Sequence, residues 1–254
     1  MKHGSSPSLS RSADRATLWL NRPGQGNRMD EGDIARFGEL LAEIEQDREI
    51  RVLTLRARGP TFCAGYDLKS LQADKREGTP GFDQMVDVLE HLRIPTIAVL
   101  TGGIYGGGTD LALACDFRIG VPEMEFVMPA ARFGIHFYHG GLRRSVARLG
   151  LGAAKRLFLC GERIGAAELL RIGYLDEIAG RDLIESRAEA LAGMIAANAP
   201  AAVQGMKKAL NAFADGTAEF DAIDEAWRRS LQSEDLREGL AALAEKRPPK
   251  FAAP

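Results

Sequence analysis

The chain has 254 residues, 45% hydrophobic and 27% charged, which supplies the apolar material for a sizeable core plus an appendage. Its 33 Lys and Arg stand against 35 Asp and Glu, a balance without the basic footprint of a nucleic-acid or membrane-surface binder, so an anionic ligand has to be met locally. The three cysteines, Cys63, Cys115 and Cys160, are odd in number, far apart and outside any Cys-x-x-Cys spacing, which argues against a disulfide framework and a zinc site and fits a reducing cytoplasm.

The polar opening Met1-Lys2-His3-Gly4-Ser5-Ser6 has no apolar leader core, and no later stretch reaches the ~20 apolar residues that a bilayer requires. Neither secretion nor membrane insertion is expected. Residues 1–15 are Ser-rich and expected to be mobile. Ala16 to Leu20 reads as a strand stopped by Asn21-Arg22-Pro23-Gly24. Ile34, Phe37, Leu40, Leu41 and Ile44 recur at helical spacing, and Val52 to Leu55 predicts a strand closed by Arg58-Gly59-Pro60. The order repeats with a helix carrying Phe82, Met85, Val86, Leu89 and Leu92, a strand from Ile97 to Leu100, a glycine-rich turn and the helix Thr109 to Ala114. Strand–helix alternation of this kind indicates an α/β fold, and the unit size suggests a repeating strand-strand-helix coil. From about Leu142 strand signals become sparse. Amphipathic segments follow at Leu151 to Leu159, Ala166 to Ile172, Leu183 to Ala197, Ala201 to Phe213, Phe220 to Leu231 and Leu236 to Ala244. Asn198-Ala199-Pro200 is the natural seam, because Pro restricts the residue before it; it divides an α/β core of residues 16–197 from a helical region of residues 198–254.

Two glycine turns carry the chemistry. Thr61-Phe62-Cys63-Ala64-Gly65-Tyr66-Asp67-Leu68-Lys69 follows one strand, and Gly102-Gly103-Ile104-Tyr105-Gly106-Gly107-Gly108-Thr109-Asp110 follows another and opens a helix. Three consecutive glycines mean either unusual backbone angles or close approach by a neighbour. A helix N-terminus offers unpaired N–H groups and a partial positive charge suited to an oxyanion, and a donor from the other turn would complete a two-donor hole. The bland alternative is a pair of tight turns that let helices pack on strands. A dinucleotide site is not supported, since the acidic residue expected about 20 positions after a Gly-x-Gly-x-x-Gly is not placed after a strand.

Both turns, in their order and separation, resemble the two signatures of the enoyl-CoA hydratase/isomerase (crotonase) family. Leu20-Asn21-Arg22-Pro23, the run from Gly161-Glu162-Arg163-Ile164 to Gly173-Tyr174-Leu175, and Lys246-Arg247 to Phe251 resemble further parts of that pattern, so the likeness covers roughly residues 16 to 251. The resemblance implies a superhelix of ββα units with a C-terminal helical trimerisation region, a homotrimer or a dimer of trimers, and an acyl-CoA substrate whose coenzyme A is the sole cofactor-like group. It places Tyr66 and Gly107 at the oxyanion hole, and Ala64, Tyr66, Asp67, Leu68 and Lys69 along the thioester and pantetheine, with the Lys69 ammonium either toward a coenzyme A phosphate or simply solvated at the surface.

In the family's hydratases two glutamates work on one water. The position of the first is Asp110 here, a candidate acid or base, although a carboxylate in a helix's first turn is also what dipole stabilisation selects. The position of the second, after Pro129, is Ala130, which can neither hold a water nor move a proton. The following Ile135-His136-Phe137-Tyr138-His139 falls where relatives place acidic or tyrosine residues over the substrate α-carbon. Tyr138 and His139 are therefore candidate proton donors, Tyr138 alternatively orienting the substrate, and His136 a candidate substrate contact or proton shuttle, with a hydrogen-bonded structural role the alternative for either histidine. His136 and His139 lack the companion ligands of a metal site. Cys63 has no base partner and reads as a small buried hydrophobe. The missing glutamate keeps two alternatives open: an acyl-CoA decarboxylase or hydrolase that needs only the hole and a pocket, and a non-catalytic CoA-thioester-binding homologue.

Overall fold

A computed structural model describes residues 5–68 and 81–252. The first strand pair is β1 (Ser8–Ser12) and β2 (Arg15–Leu20), antiparallel across a tight turn. β1 gives part of the segment expected to be mobile a place at the edge of the large sheet. Its sequence Ser-Leu-Ser-Arg-Ser holds one apolar residue because it is a mostly exposed edge strand, and such a strand leaves little trace in apolar periodicity. Helix α1 (Glu31–Gln46) starts at a capping box in which Asp30 and Asp33 exchange backbone contacts. It buries Ile34, Phe37, Leu40, Leu41 and Ile44, the stripe visible in the sequence.

From there the chain alternates between two sheets. β3 (Val52–Ala57) enters the large sheet and β4 (Thr61–Cys63) a small one, before α2 (Phe82–His91). β5 (Thr96–Leu100) and β6 (Gly103–Tyr105) repeat the step and lead into α3 (Gly107–Ala114). β7 (Phe117–Gly120) and β8 (Glu125–Val127) repeat it again, followed by a 3-10 turn at Ala130–Phe133 and by α4 (His139–Lys155). β9 (Arg163–Gly165), α5 (Ala166–Arg171) and β10 (Glu177–Ile178) close the two sheets. The large sheet has the order β1-β2-β3-β5-β7-β10, parallel from β2 onward, and the small one the order β4-β6-β8-β9. Each repeat thus adds one strand to each sheet, which is the strand-strand-helix coil anticipated above.

Two readings of the region after Leu142 are corrected. It does contain strands, β9 and β10, but they are three and two residues long, too short to show a period. Its first helix begins at His139 rather than Leu151, passes a non-helical Gly150 and ends in a π-type turn over Arg156–Cys160. The pair Gly140-Gly141 disguised that start as a loop.

Helix α6 (Ile184–Ala196) packs on β3, β5 and β7. After Asn198-Ala199 comes α7 (Pro200–Asp215), with Pro at the first turn where its missing N–H costs nothing, and then α8 (Phe220–Ser230) and α9 (Glu234–Glu245). Lys207 of α7 is 8% exposed and reaches back into the core, donating to Ile94 O at 2.8 Å and to Asp116 Oδ2 at 2.7 Å. Asp116 also accepts from the Thr96 N–H and hydroxyl. Among the described residues no helix is long and apolar enough to cross a membrane.

Candidate active site

The two glycine turns meet. Gly65 has φ +87°, a conformation that L side chains rarely adopt, and a Cβ added there would lie 2.8 Å from Gly107 N and 2.8 Å from Tyr105 O. The end of β4 and the start of α3 are therefore in backbone contact. A Cβ on Gly108 would strike Cys63 O at 2.5 Å, and one on Gly107 would meet the Phe82 ring at 2.8 Å, so the run of glycines is required by close approach on two sides. Gly106, with φ +51° and ψ −126°, turns the chain from β6 into the helix.

The backbone donors are set by this packing. Gly106 N–H donates to Val127 O and Thr109 N–H to Gly106 O, whereas Gly107 N–H lies in the first turn of α3, where a helix provides no acceptor of its own. On the other turn Tyr66 bridges to Met29: Met29 N–H donates to Gly65 O and Asp67 N–H to Met29 O, both at 2.9 Å. N–H groups alternate sides along an extended segment, so that of Tyr66 faces away from Met29.

These turns form one wall of a cavity of about 380 Å³. Ala64, Tyr66, Leu68, Gly107, Ala130, His136 and Tyr138 line it, together with Phe82, Met128, Ile135 and Phe137 from the apolar side. The rings form a chain: Tyr66 to Phe82 at 6.1 Å between centroids, Phe82 to Tyr138 at 6.4 Å, Tyr138 stacked on Phe137 at 4.3 Å. Three polar groups of the wall were missed in the sequence. Glu31 and Asp83 occupy the first turns of α1 and α2 and look like ordinary helix-start acids, while Tyr105 is hidden inside the glycine signature. Tyr105 donates to Glu125, and burial with that neighbouring carboxylate pushes its phenol up to about 12.

Asp110 is not on this wall. It is 2% exposed, and Arg144 of α4 grips it through both oxygens, Nε to Oδ1 at 2.9 Å and a terminal nitrogen to Oδ2 at 3.0 Å. Tyr138 adds its hydroxyl, donating to Oδ2 at 2.6 Å. Arg144 is fully buried and also pairs with Glu90, which Arg143 shares; Arg143 and His91 both reach Asp215 at the end of α7. Burial, then the charge of Asp110 and the hydrogen bond to it, hold the Tyr138 phenol far above its ordinary range.

Along its matched length the chain fits the model of the enoyl-CoA hydratase/isomerase family over residues 12–254. The chain belongs to the enoyl-CoA hydratase/isomerase family. Similar proteins include the short-chain-enoyl-CoA hydratase of Clostridium acetobutylicum, 30% identical over 91% of this chain and 92% of its own length. The carnitinyl-CoA dehydratase of Proteus mirabilis is 32% identical with the same coverage of both chains. Among solved structures, an enoyl-CoA hydratase from Bacillus anthracis superposes with a TM-score of 0.89 at 29% identity, covering 98% of this chain and 100% of the other.

Within this enoyl-CoA hydratase/isomerase family member, Ala64, Tyr66, Leu68, Gly107, Tyr138 and His136 come together at the cavity. Three expected positions do not join them. Asp110 is turned into the buried ion cluster. His139 is the first residue of α4 and is exposed along an outer groove rather than in the cavity. Asp67 pairs with Arg28 at 3.4 Å. Lys69 lies outside the described residues. Ala130 is 9% exposed and lines the cavity, to which it offers no acid or base. Cys63 is fully buried, with its thiol pushed up to about 12 by burial, which fits a packing role.

Proposed function

We propose that this chain binds an acyl-CoA thioester with the carbonyl oxygen between the N–H groups of Tyr66 and Gly107, and catalyses an enoyl-CoA hydratase/isomerase-type reaction through the thioester enolate. The observation that carries the reading is the contact of Gly65 with Gly107 N, which brings the two donor-bearing turns side by side at a largely apolar cavity. Fixed N–H dipoles in such a site stabilise charge that develops on the carbonyl oxygen without having to reorient. Ala64 and Leu68 offer apolar walls to the thioester, and Lys69 is proposed to meet a coenzyme A phosphate. No cofactor beyond the substrate's own coenzyme A is required.

Ala130 and the locked Asp110 favour a second reading within the same family, in which no carboxylate activates a water: decarboxylation of an acyl-CoA, or hydrolysis in which water attacks a thioester carbonyl polarised by the hole and the coenzyme A thiol leaves. A panel of crotonyl-CoA, a dienoyl-CoA and a malonyl-type CoA separates the cases. Turnover of either unsaturated thioester supports the first reading and carbon dioxide release the second. Tight binding with no turnover of any supports a binding protein. We further propose assembly as a homotrimer or dimer of trimers through the last three helices, where Leu210, Phe213, Trp227 and Leu240 are exposed; light scattering tests this.

A further inference from the structure

Enolate chemistry needs a group that takes a proton from carbon and returns it. Among the described residues of the cavity wall, two hydroxyls are already engaged, and the carboxylates of Glu31 and Asp83 stand in the first turns of their helices. Tyr138 spends its hydroxyl hydrogen on Asp110 and Tyr105 spends its own on Glu125. Asp83 folds back over the start of its helix, so that a Cβ on Gly81 would lie 2.3 Å from its Oδ1.

His136 differs from all of these. Its Nδ1 lies 2.8 Å from Phe137 O. A carbonyl oxygen only accepts, so Nδ1 carries the hydrogen and the neutral ring keeps its lone pair on Nε2. The side chain lines the cavity and also the outer groove, and it is exposed, which connects it to bulk water.

We propose that His136 is the proton carrier of this site, working through Nε2. The inference rests on the enolate reading above and narrows it to carbon-to-carbon proton transfer. With a 3-enoyl-CoA substrate, the α C–H bond breaks and its proton passes to Nε2, giving an imidazolium. The bonding pair moves into the thioester as a dienolate whose oxygen lies against Tyr66 and Gly107 N–H. The γ-carbon then takes the proton from Nε2, giving the conjugated 2-enoyl-CoA and restoring the neutral ring. Atoms and charge balance with no further reactant, and neither a glutamate at position 130 nor a free Asp110 is called for.

The test follows a series of 3-enoyl-CoA thioesters of increasing chain length in D₂O, reading conjugation by absorbance and deuterium at the γ-carbon by NMR. The wild type is expected to isomerise at least one of them with deuterium entering from solvent, because the carrier is exposed. His136→Gln is expected to slow this about a hundredfold or more, and added imidazole to restore part of the rate to His136→Ala. Thermal melts identify variants that fail to fold, and the exposed position predicts that both fold. Isomerisation that survives His136→Gln within about threefold, or that is lost instead in Glu31→Gln, overturns this proposal while leaving the enolate reading intact. A wild type that exchanges no proton on any member of the series overturns both.

Discussion

Arg144 and Asp110 are paired through both carboxylate oxygens, 34 positions apart in the chain and buried together, with Tyr138 closing the third side. Asp110, a candidate acid or base by resemblance, thus holds α4 and Tyr138 against α3. Arg144 keeps Glu90 and Asp87 when Asp110 is removed, so what is lost is a set of buried charge-assisted hydrogen bonds, a cost of about 1.5–3 kcal/mol. Asp110→Ala is therefore expected to lower unfolding stability in urea by roughly that amount, and Asp110→Asn, which keeps one acceptor for Arg144, by less. A single variant as stable as the wild type contradicts the arrangement.

The donor role proposed for Gly107 can be separated from its size. Phe82 occupies the space that a Cβ at 107 would need, so the comparison belongs in a Phe82→Ala background. There Gly107→Ala keeps the N–H and Gly107→Pro deletes it, at a first helical position that tolerates proline. Turnover is expected to be about 10²–10³-fold lower in the proline variant than in the alanine variant, with similar melting temperatures. Equal turnover excludes this N–H from the hole.

The cysteines make a simple prediction. Cys63 and Cys115 are buried, each pushed up to about 12 by burial, while Cys160 is exposed. The folded protein should take up no more than one equivalent of an alkylating reagent and the unfolded chain three. Rapid labelling of Cys63 in the folded state would reverse the packing role assigned to it.

Tyr105, Tyr138 and Tyr174 all have phenols raised by burial, Tyr105 to about 12. A group with a folded-state pKa above its unfolded value stabilises the fold fully below the unfolded value, and that contribution is lost as pH rises. The unfolded chain releases these protons near pH 10 and the folded one later, so stability falls above about pH 10. In an absorbance titration three of the four tyrosines should ionise late or together with unfolding. Normal, reversible midpoints for all three in the folded protein would contradict it.

The legible parts of this molecule were those in which one residue type answers a local steric demand. Gly65, Gly107 and Gly108 announce themselves because any Cβ there meets backbone or a ring, and the apolar stripe of α1 repeats over several turns. The strands of the small sheet are three residues long and carry no period, which is why β4, β6, β8 and β9 were not seen. The position of Asp110 was legible and its bonding was not: its partner Arg144 sits in a helix whose Gly140-Gly141 start reads as a turn. Both glycines have their own reasons, since a Cβ on Gly140 would meet Asp87 at 2.6 Å and one on Gly141 the Phe137 ring at 2.2 Å. Glu31 and Asp83 are not legible as cavity residues, because a helix-start acid looks the same in sequence whether or not it also faces a cavity.

The reach of Lys207 into the core changes how the proline seam should be regarded. Its ammonium supplies the cation that Asp116 faces beside β5, so a chain cut at Asn198 would strand a half-hidden carboxylate next to an unsatisfied Ile94 carbonyl. The two sides of the seam are thus tied through a buried ammonium, and truncation there is a lesion to the sheet rather than the loss of a detachable arm.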